Sequence, residues 1–145
     1  MILVDAGPLV ALVDKGDQHH KRCVATLREL RGPLATAWPA VAEAMYLLLD
    51  QPRGQDAIWE MLETGSVRLL PLDIGETPRI RELMAKYRNR PMDLADAALV
   101  RIAERESIDT IFTVDQRDFQ VYRIGGRKLF RILPKPARRR GRRPA

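Results

Sequence analysis

The sequence predicts an α/β fold with a mainly parallel sheet. Short apolar runs of strand length alternate along the chain with longer stretches in which apolar residues recur at helical spacing. Turn residues such as Gly and Pro stand between most of these segments. Alternation of strands and helices is typical of parallel sheets, because a crossover between parallel strands needs a long connection. The length of 145 residues, 46% of them hydrophobic, fits one domain with a single core.

The first half of the chain predicts two strands and four helices. Residues 2–5 form an apolar strand that ends in a carboxylate, and Gly7-Pro8 introduces a helix over residues 9–13. Pro39 suits the first turn of the third helix, because an N–H in the first turn has no partner inside the helix. The other predicted elements are a helix that Asp17 could cap and that ends at Gly32-Pro33, a strand at 34–37, a helix at 39–49 and a helix at 54–63.

The second half predicts two helices and further strands. Pro71 interrupts the strand at residues 67–72 and places it at a sheet edge, because proline cannot donate to the ladder of hydrogen bonds. A helix runs from Pro78 to residue 88, and a helix with nearly continuous apolar content covers residues 93–106. The remaining predicted strands lie at 110–114, at 121–124 and, after the turn at Gly125-Gly126, at 129–133.

The net charge of +6 belongs to the end of the chain. Six of the 25 Lys and Arg residues follow Pro134, where there is no acid, so residues 1–134 contain 19 basic and 19 acidic side chains. We expect residues 1–134 to form the folded domain and residues 135–145 to be a basic, disordered tail. Its arginines could neutralise nucleic-acid phosphates without reading sequence, or form a solvated extension without function. They are Arg138, Arg139, Arg140, Arg142 and Arg143.

Composition and sequence pattern exclude several classes of protein. The apolar runs fall short of the ~18 residues that a membrane-spanning helix needs. The start of the sequence lacks the basic segment of a secretory signal. Cys23 is the only cysteine, which excludes a disulfide framework and a cysteine-based metal site. We therefore expect a cytoplasmic protein that does not bind membranes.

Two of the predicted strands are followed by aspartate. Asp5 ends the first strand, and Asp115 directly follows the strand at residues 110–114. If these strands are parallel neighbours, both carboxylates lie at the edge of the sheet where ligands bind in open α/β folds. Aspartate is also a common loop residue after a strand, so either one alone indicates little. Thr113 could donate a hydrogen bond to one of these carboxylates, or could be an ordinary strand residue.

Glu43 is the only charged residue of the predicted helix at 39–49. Because that helix is apolar on nearly all sides, we expect it to be buried. An ionised carboxylate in such a helix requires compensation by a cation or a buried arginine. The alternative is a glutamate on a narrow exposed strip.

In two further pairs of acids, the two aspartates lie three residues apart. Asp93 and Asp96 share a helix face, and Asp93 suits the N-cap with Asp96 at the third position, which is close to a capping box. Asp96 opens a strongly apolar segment and is the better candidate for a site. Asp118 follows Asp115 and could either assist it or cap the turn that seats Phe119 in the core.

If the four candidate acids lie close together, they would favour the binding of a divalent cation. Asp5, Glu43, Asp96 and Asp115 would repel one another, and some would remain protonated, unless metal bound them. Oxygen ligands favour Mg²⁺ or Mn²⁺ over zinc, which prefers His and Cys. Metal held by carboxylates can activate water and stabilise charge on a phosphate, so the pattern points to phosphodiester chemistry.

The motifs together resemble those of the PIN-domain ribonucleases, and within them the VapC-type toxins of bacterial toxin–antitoxin pairs. They are Ile2-Leu-Val-Asp5, Glu43, Asp93-Leu-Ala-Asp96-Ala-Ala-Leu and Thr113-Val-Asp115-Gln-Arg-Asp118-Phe119, in the family's order over residues 1–133. The resemblance implies a three-layer α/β/α fold around a mainly parallel sheet. It also implies a metal-dependent endoribonuclease that forms a homodimer and is blocked by an antitoxin, often through a basic side chain in the acidic pocket.

The resemblance also implies roles for individual residues. The metal ligands would be Asp5, Glu43, Asp96 and Asp115, with Asp93 and Asp118 as helpers. Many relatives carry Ser or Thr directly after the first aspartate, whereas this chain has Ala6-Gly7-Pro8. Thr113 is then the only candidate for a hydroxyl that assists at the site.

Two other functions are compatible with parts of the pattern. A non-catalytic RNA-binding module could keep the fold without the chemistry, although the presence of all four acids counts against it. A signalling receiver domain also gathers acids around Mg²⁺ at strand ends, but it needs a functional lysine after a late strand. The lysines that follow Lys86 are Lys128 and Lys135, and neither is placed in that way.

Overall fold

Five parallel strands form the central sheet of the structure, a computed structural model that describes residues 1–136. Their order is β3-β2-β1-β4-β7, so the N-terminal strand lies in the middle between β2 and β4. The strands are β1 (Ile2–Val4), β2 (Leu34–Thr36), β3 (Val67–Leu69), β4 (Thr110–Phe112) and β7 (Arg131–Leu133). The predicted parallel sheet is confirmed, and the strand interrupted by Pro71 is an edge strand as expected.

Seven α-helices and one 3₁₀ turn connect the strands within residues 1–136. The helices are α1 (Ala6–Val13), α2 (His20–Glu29), α3 (Trp38–Leu47), α4 (Pro52–Thr64), α5 (Thr77–Lys86), α6 (Leu94–Glu106) and α7 (Gln116–Val121), and the 3₁₀ turn is Ile74–Glu76. Gly65 ends α4 with a φ of 77°, a left-handed conformation that glycine adopts without steric cost. None of the described helices combines the length and apolar character needed to cross a membrane.

The helices cover both faces of the sheet and make three layers. Side chains alternate along a strand, so Ile2 and Val4 pack into one apolar cluster with α1, α2 and α4. Leu3 faces the opposite way and packs into the second cluster with α5 and α6. The three-layer α/β/α arrangement implied by the resemblance is therefore confirmed.

Residues 121–124 do not form the predicted strand of the main sheet. Val121 ends helix α7, and a two-residue strand β5 (Arg123–Ile124) pairs antiparallel with β6 (Lys128–Leu129) in a separate hairpin. Phe119 in α7 and Tyr122 directly after it are both fully buried, and their rings pack edge-on with centroids 5.1 Å apart. Burial of these two rings favours a helical turn over an extended strand.

Helix α3 is less buried than its composition predicts. Ala40, Val41 and Ala44 face the core, but Trp38 and Tyr46 are 53% and 71% exposed. The expectation that α3 is buried on nearly all sides is therefore wrong. Apolar side chains occupy its exposed face as well as its core face, so the sequence shows no polar stripe that would mark the surface.

Candidate active site

The acidic residues meet at the edge formed by the carboxyl ends of β1 and β4. The two strands are parallel neighbours, with Val4 opposite Phe112 in the register. The backbone N–H of Asp5 donates to the carbonyl of Phe112 over 3.0 Å. Asp5 and the residues that follow β4 therefore lie side by side, as the sequence pattern predicts.

Asp5 is held in place by two hydrogen bonds. Its Oδ1 accepts from the backbone N–H of Ala6 over 2.8 Å, which makes it the N-cap of α1, and its Oδ2 accepts from the Thr113 hydroxyl over 2.9 Å. The residue is only 5% exposed. Burial raises the pKa of Asp5 and the negative charges of Asp93 and Asp118 add to this, although the two hydrogen bonds act in the opposite direction.

Hydrogen bonds with Asp93 and Tyr122 hold Asp96 in position. Its backbone N–H donates to Oδ1 of Asp93 over 2.8 Å, which confirms Asp93 as the N-cap of α6. Its Oδ2 accepts from the hydroxyl of Tyr122 over 2.8 Å. Burial and the charges of Asp5 and Asp93 raise the pKa of Asp96 well above the usual range of an aspartate.

Asp115 and Asp118 complete a compact group with Asp96. One carboxylate oxygen from each of these three residues lies within 4.8 Å of the other two. The backbone N–H of Asp115 donates to Oγ1 of Thr113 over 3.0 Å, so this one hydroxyl contacts both Asp5 and the start of α7. Burial and the adjacent Asp118 raise the pKa of Asp115. Asp118 thus lies in the group itself rather than only capping a turn.

Glu43 on helix α3 lies near enough to the acidic edge to be affected by its charges. The residue is exposed, which contradicts the expected burial and agrees with the alternative of a glutamate on an exposed strip. Loss of hydration and the negative charges of Asp5, Asp93 and Asp115 raise the pKa of Glu43 to about 7. Glu43 and Asp5 are not members of the compact group formed by Asp96, Asp115 and Asp118. Two of the four predicted ligands, Asp96 and Asp115, therefore lie in that group, and the other two lie outside it.

The acids have little positive charge to balance them within residues 1–136. Asp118 forms an ion pair with Arg90, whose Nη1 lies 3.4 Å from Oδ1. Both side chains are partly exposed, and surface pairs of this kind contribute little to stability. Among the described residues, Asp5, Glu43, Asp96 and Asp115 form no ion pair.

The donor chemistry of the site fits a hard divalent cation. The compact group consists of carboxylates alone, which suits Mg²⁺ or Mn²⁺ better than zinc. Burial, and after it the repulsion between neighbouring carboxylates, raises the pKa values of Asp96 and Asp115 in the cation-free protein. A bound cation would remove that repulsion and displace the protons.

Two residues of the site were not among those chosen from sequence. Tyr122 orients Asp96, and its ring packs edge-on against Tyr87 and Phe119, with centroids 5.0 and 5.1 Å away. Arg90 contacts Asp118 from the loop between α5 and α6. The spacing of Phe119 and Tyr122 indicates a buried ring, but nothing in the sequence indicates the partner of its hydroxyl. The arginines at 138–143 lie outside the described residues.

Comparisons with known proteins agree with the fold. The family model of the PIN domain matches residues 2–125. A curated relative, Ribonuclease VapC26 of Mycobacterium tuberculosis, is 27% identical over 136 residues, which cover 92% of this chain and 100% of the relative. The crystal structure of Mycobacterium tuberculosis VapC20, described as a toxin that cleaves the sarcin–ricin loop, superposes with a TM-score of 0.71. That match covers 77% of this chain and 87% of the other at 18% identity, and it shows that the two share a fold.

Proposed function

The chain belongs to the PIN-domain family, and from this we propose that it is a metal-dependent endoribonuclease acting as the toxin of a toxin–antitoxin pair. The observation that carries the proposal is the group of Asp96, Asp115 and Asp118 beside the buried Asp5, at the sheet edge where α/β folds bind ligands. The names of the relatives support RNA as the substrate and a role as a toxin, since one is a ribonuclease and the other a toxin that cleaves the sarcin–ricin loop.

Mg²⁺ or Mn²⁺ is the cofactor that the donor set suits. We assign Asp5, Glu43, Asp96 and Asp115 as its ligands, with Asp93 and Asp118 in support. When bound, the cation would supply an activated water and stabilise negative charge on the phosphate that is cleaved. The closeness of Asp118 to Asp96 and Asp115 supports a larger part for Asp118 than that of a helper.

The remaining groups of the site hold the carboxylates in position. The hydroxyls of Thr113 and Tyr122 donate to Asp5 and Asp96, so each of these acids has one oxygen fixed by a hydrogen bond. Partners of this kind fix the orientation of ligand side chains. Glu43 has a pKa of about 7, so it exchanges a proton near neutral pH in the cation-free protein. A cation bound by Glu43 would displace this proton, because a carboxylate binds metal in its deprotonated form.

We further propose that the protein is a homodimer and is blocked by an antitoxin. The exposed face of α3 and α4 supports dimerisation, because Trp38 and Trp59 pack edge-on at the surface with centroids 6.2 Å apart and are 53% and 43% exposed. Tyr46, Leu47 and Leu49, at the end of α3 and just after it, are further exposed apolar side chains. A basic side chain of an antitoxin could form ion pairs with the unpaired carboxylates of the site. RNA as a substrate would place the pair in the cytoplasm.

Cleavage of RNA by the purified protein tests the proposal. We expect wild type and Asp56→Asn to cleave in Mg²⁺, because Asp56 is an exposed residue of α4 outside the acidic edge. Asp5→Asn should abolish cleavage, and expression of wild type but not of this variant should arrest bacterial growth. Cleavage that continues in EDTA would contradict the metal mechanism. Binding of RNA without cleavage would favour the non-catalytic module instead.

A further inference from the structure

A pocket of about 480 Å³ lies between the last turns of α5 and the loop that leads to α6. It is lined by Arg81, Met84, Ala85, Arg88, Pro91 and Met92. Met92 directly precedes Asp93, the N-cap of α6, whose carboxylate accepts from the backbone of Asp96. The pocket therefore borders the segment that leads into the acidic edge, and nothing assigned so far uses it.

Its floor is apolar and its rim is cationic. Met84 and Met92 are partly and almost fully buried, whereas Arg81 and Arg88 are exposed. Arg81 lies on α5 and Arg88 lies in the turn just after the helix ends at Lys86, and both residues line the pocket. Within residues 1–136 neither guanidinium forms an ion pair or a side-chain hydrogen bond.

Other arginines of this region are used within the fold. Arg79 on α5 binds Glu104 of α6 through its Nη2 at 3.0 Å, and Arg101 and Arg105 bind Glu76. These contacts join α5, α6 and the 3₁₀ turn. Arg81 and Arg88 have no such partner, so their charge is available for a ligand.

The acidic edge itself would repel RNA, so a substrate needs positive charge nearby. Arg90 is paired with Asp118, whereas Arg81 and Arg88 form no ion pair within residues 1–136 and can contact phosphates. An apolar slot between guanidinium groups matches an unstacked base, because RNA-binding proteins stack splayed bases on apolar and guanidinium surfaces. The charge and the shape of the pocket thus indicate the same ligand.

We propose that this pocket binds one unstacked base of the single-stranded RNA substrate beside the cleaved bond, with Arg81 and Arg88 contacting the adjoining phosphates. The inference rests on the proposed ribonuclease function and names a binding site for its substrate. It makes the pocket a determinant of substrate affinity and of the base preferred next to the cleavage site. The carboxylates of the acidic edge would carry out the cleavage itself.

Steady-state cleavage of a labelled single-stranded RNA tests this with two kinds of variant. Ala85→Leu fills the pocket without changing charge, and Arg81→Ala with Arg88→Ala removes the cationic rim. We expect each to raise KM roughly tenfold or more, in line with the loss of one stacked base, while kcat changes little. Ala85→Leu should also weaken the base preference at the cleavage site. The matched controls lie on the exposed face of α2, across the sheet: Ala25→Leu and the pair Lys21→Ala with Arg28→Ala.

Unchanged KM and base preference in both pocket variants would overturn the inference while the ribonuclease function stands. Photo-crosslinking of RNA that contains 4-thiouridine gives a second readout that does not need turnover, and it uses the Asp96→Asn protein. Crosslinks at Met84, Pro91 or Met92 that Ala85→Leu removes would support the pocket. Crosslinks found only elsewhere, or no crosslinks, would overturn it. Absence of cleavage by wild type would count against the proposed function, and the crosslinks would still decide the pocket.

Discussion

The hydroxyl of Thr113 donates to Oδ2 of Asp5 over 2.9 Å, joining residues 108 positions apart in the chain. Oγ1 of Thr113 also accepts a hydrogen bond from the backbone N–H of Asp115 over 3.0 Å. One side chain therefore sets the position of the acid after β1 relative to the acid after β4. Because Thr113 is fully buried, water cannot replace either hydrogen bond.

Thr113→Val should weaken both folding and metal binding. It leaves a buried carboxylate oxygen and a backbone N–H without their partner, which costs about 1–3 kcal/mol in the free energy of unfolding. Loss of a group that orients a ligand also lowers metal affinity by roughly 10- to 100-fold. Urea denaturation and calorimetric titration with Mn²⁺ measure the two effects. Thr113→Ser keeps the hydroxyl and should restore most of both, and equal losses in Ser and Val variants would contradict the role of the hydrogen bond.

Tyr122→Phe should shift proton binding at Asp96 with little change in packing. The hydroxyl of Tyr122 donates to Asp96 and lowers its pKa against the effects of burial and of Asp5. Without it, the pKa of Asp96 rises further, so protons compete more strongly with Mn²⁺. We expect the affinity for Mn²⁺ to fall more at pH 6 than at pH 8. Tyr46→Phe is the control, because Tyr46 is 71% exposed, and a loss that is independent of pH would argue against this link.

Without divalent cations, the protein should become less stable as pH rises from about 5 to 8. Burial and like charge raise the folded-state pKa of Asp96 and Asp115, and that of Glu43 to about 7, whereas these groups titrate near 4 in the unfolded chain. The folded state then binds more protons than the unfolded state, so the free energy of unfolding falls as pH rises through this window. Urea denaturation in EDTA at several pH values measures the slope.

Two comparisons isolate the contribution of the acidic site to that slope. Asp96→Asn removes one of the titrating groups and should flatten the pH dependence, whereas Asp56→Asn should leave it unchanged. Mg²⁺ should restore stability at pH 8 more than at pH 5, because protons occupy the site at the lower pH. A stability that rises from pH 5 to pH 8 in EDTA, or a slope that Asp96→Asn does not alter, would contradict the pKa shifts.

Gly7→Ala should destabilise the protein through a clash beside the site. A Cβ at residue 7 would lie 2.4 Å from Cγ2 of Val114, the residue between Thr113 and Asp115. Overpacking of this kind costs about 1–3 kcal/mol. Thermal or urea denaturation measures the loss, and the double variant Gly7→Ala with Val114→Ala should recover part of it. A double variant whose loss equals the sum of the two single losses would show that the contact does not exist.

The parts of the fold that follow from local pattern were predictable from sequence. Apolar runs followed by acids locate β1 and β4. Pro71, two residues after the end of β3, indicates that β3 is an edge strand. Helix α7 was missed because six residues are too few to show a helical period. The exposure of α3 was missed because Trp38 and Tyr46 are apolar surface residues, which a count of hydrophobic positions assigns to a core.

The candidate site was predictable in its composition but not in its contacts. The acids could be found because each stands alone in an apolar setting or follows a strand. The closeness of Asp118 to Asp96 and the bond from Tyr122 depend on how α7 packs against α6, which no local pattern specifies. Hydrogen bonds between residues far apart in the chain, such as that of Thr113 with Asp5, become visible only in the folded structure.

The most direct test is the single-turnover rate of cleavage of a labelled RNA, measured against Mg²⁺ concentration for wild type, Asp96→Asn and Asp56→Asn. Carboxylates that hold a catalytic cation predict a rate that rises with Mg²⁺ and saturates in wild type and Asp56→Asn. Asp96→Asn should be slower by at least about 100-fold, since it lowers metal affinity and removes a ligand at the reacting centre. A rate that is independent of Mg²⁺, or an Asp96→Asn protein as fast as wild type, would contradict the assignment of the acidic edge as a metal-dependent active site.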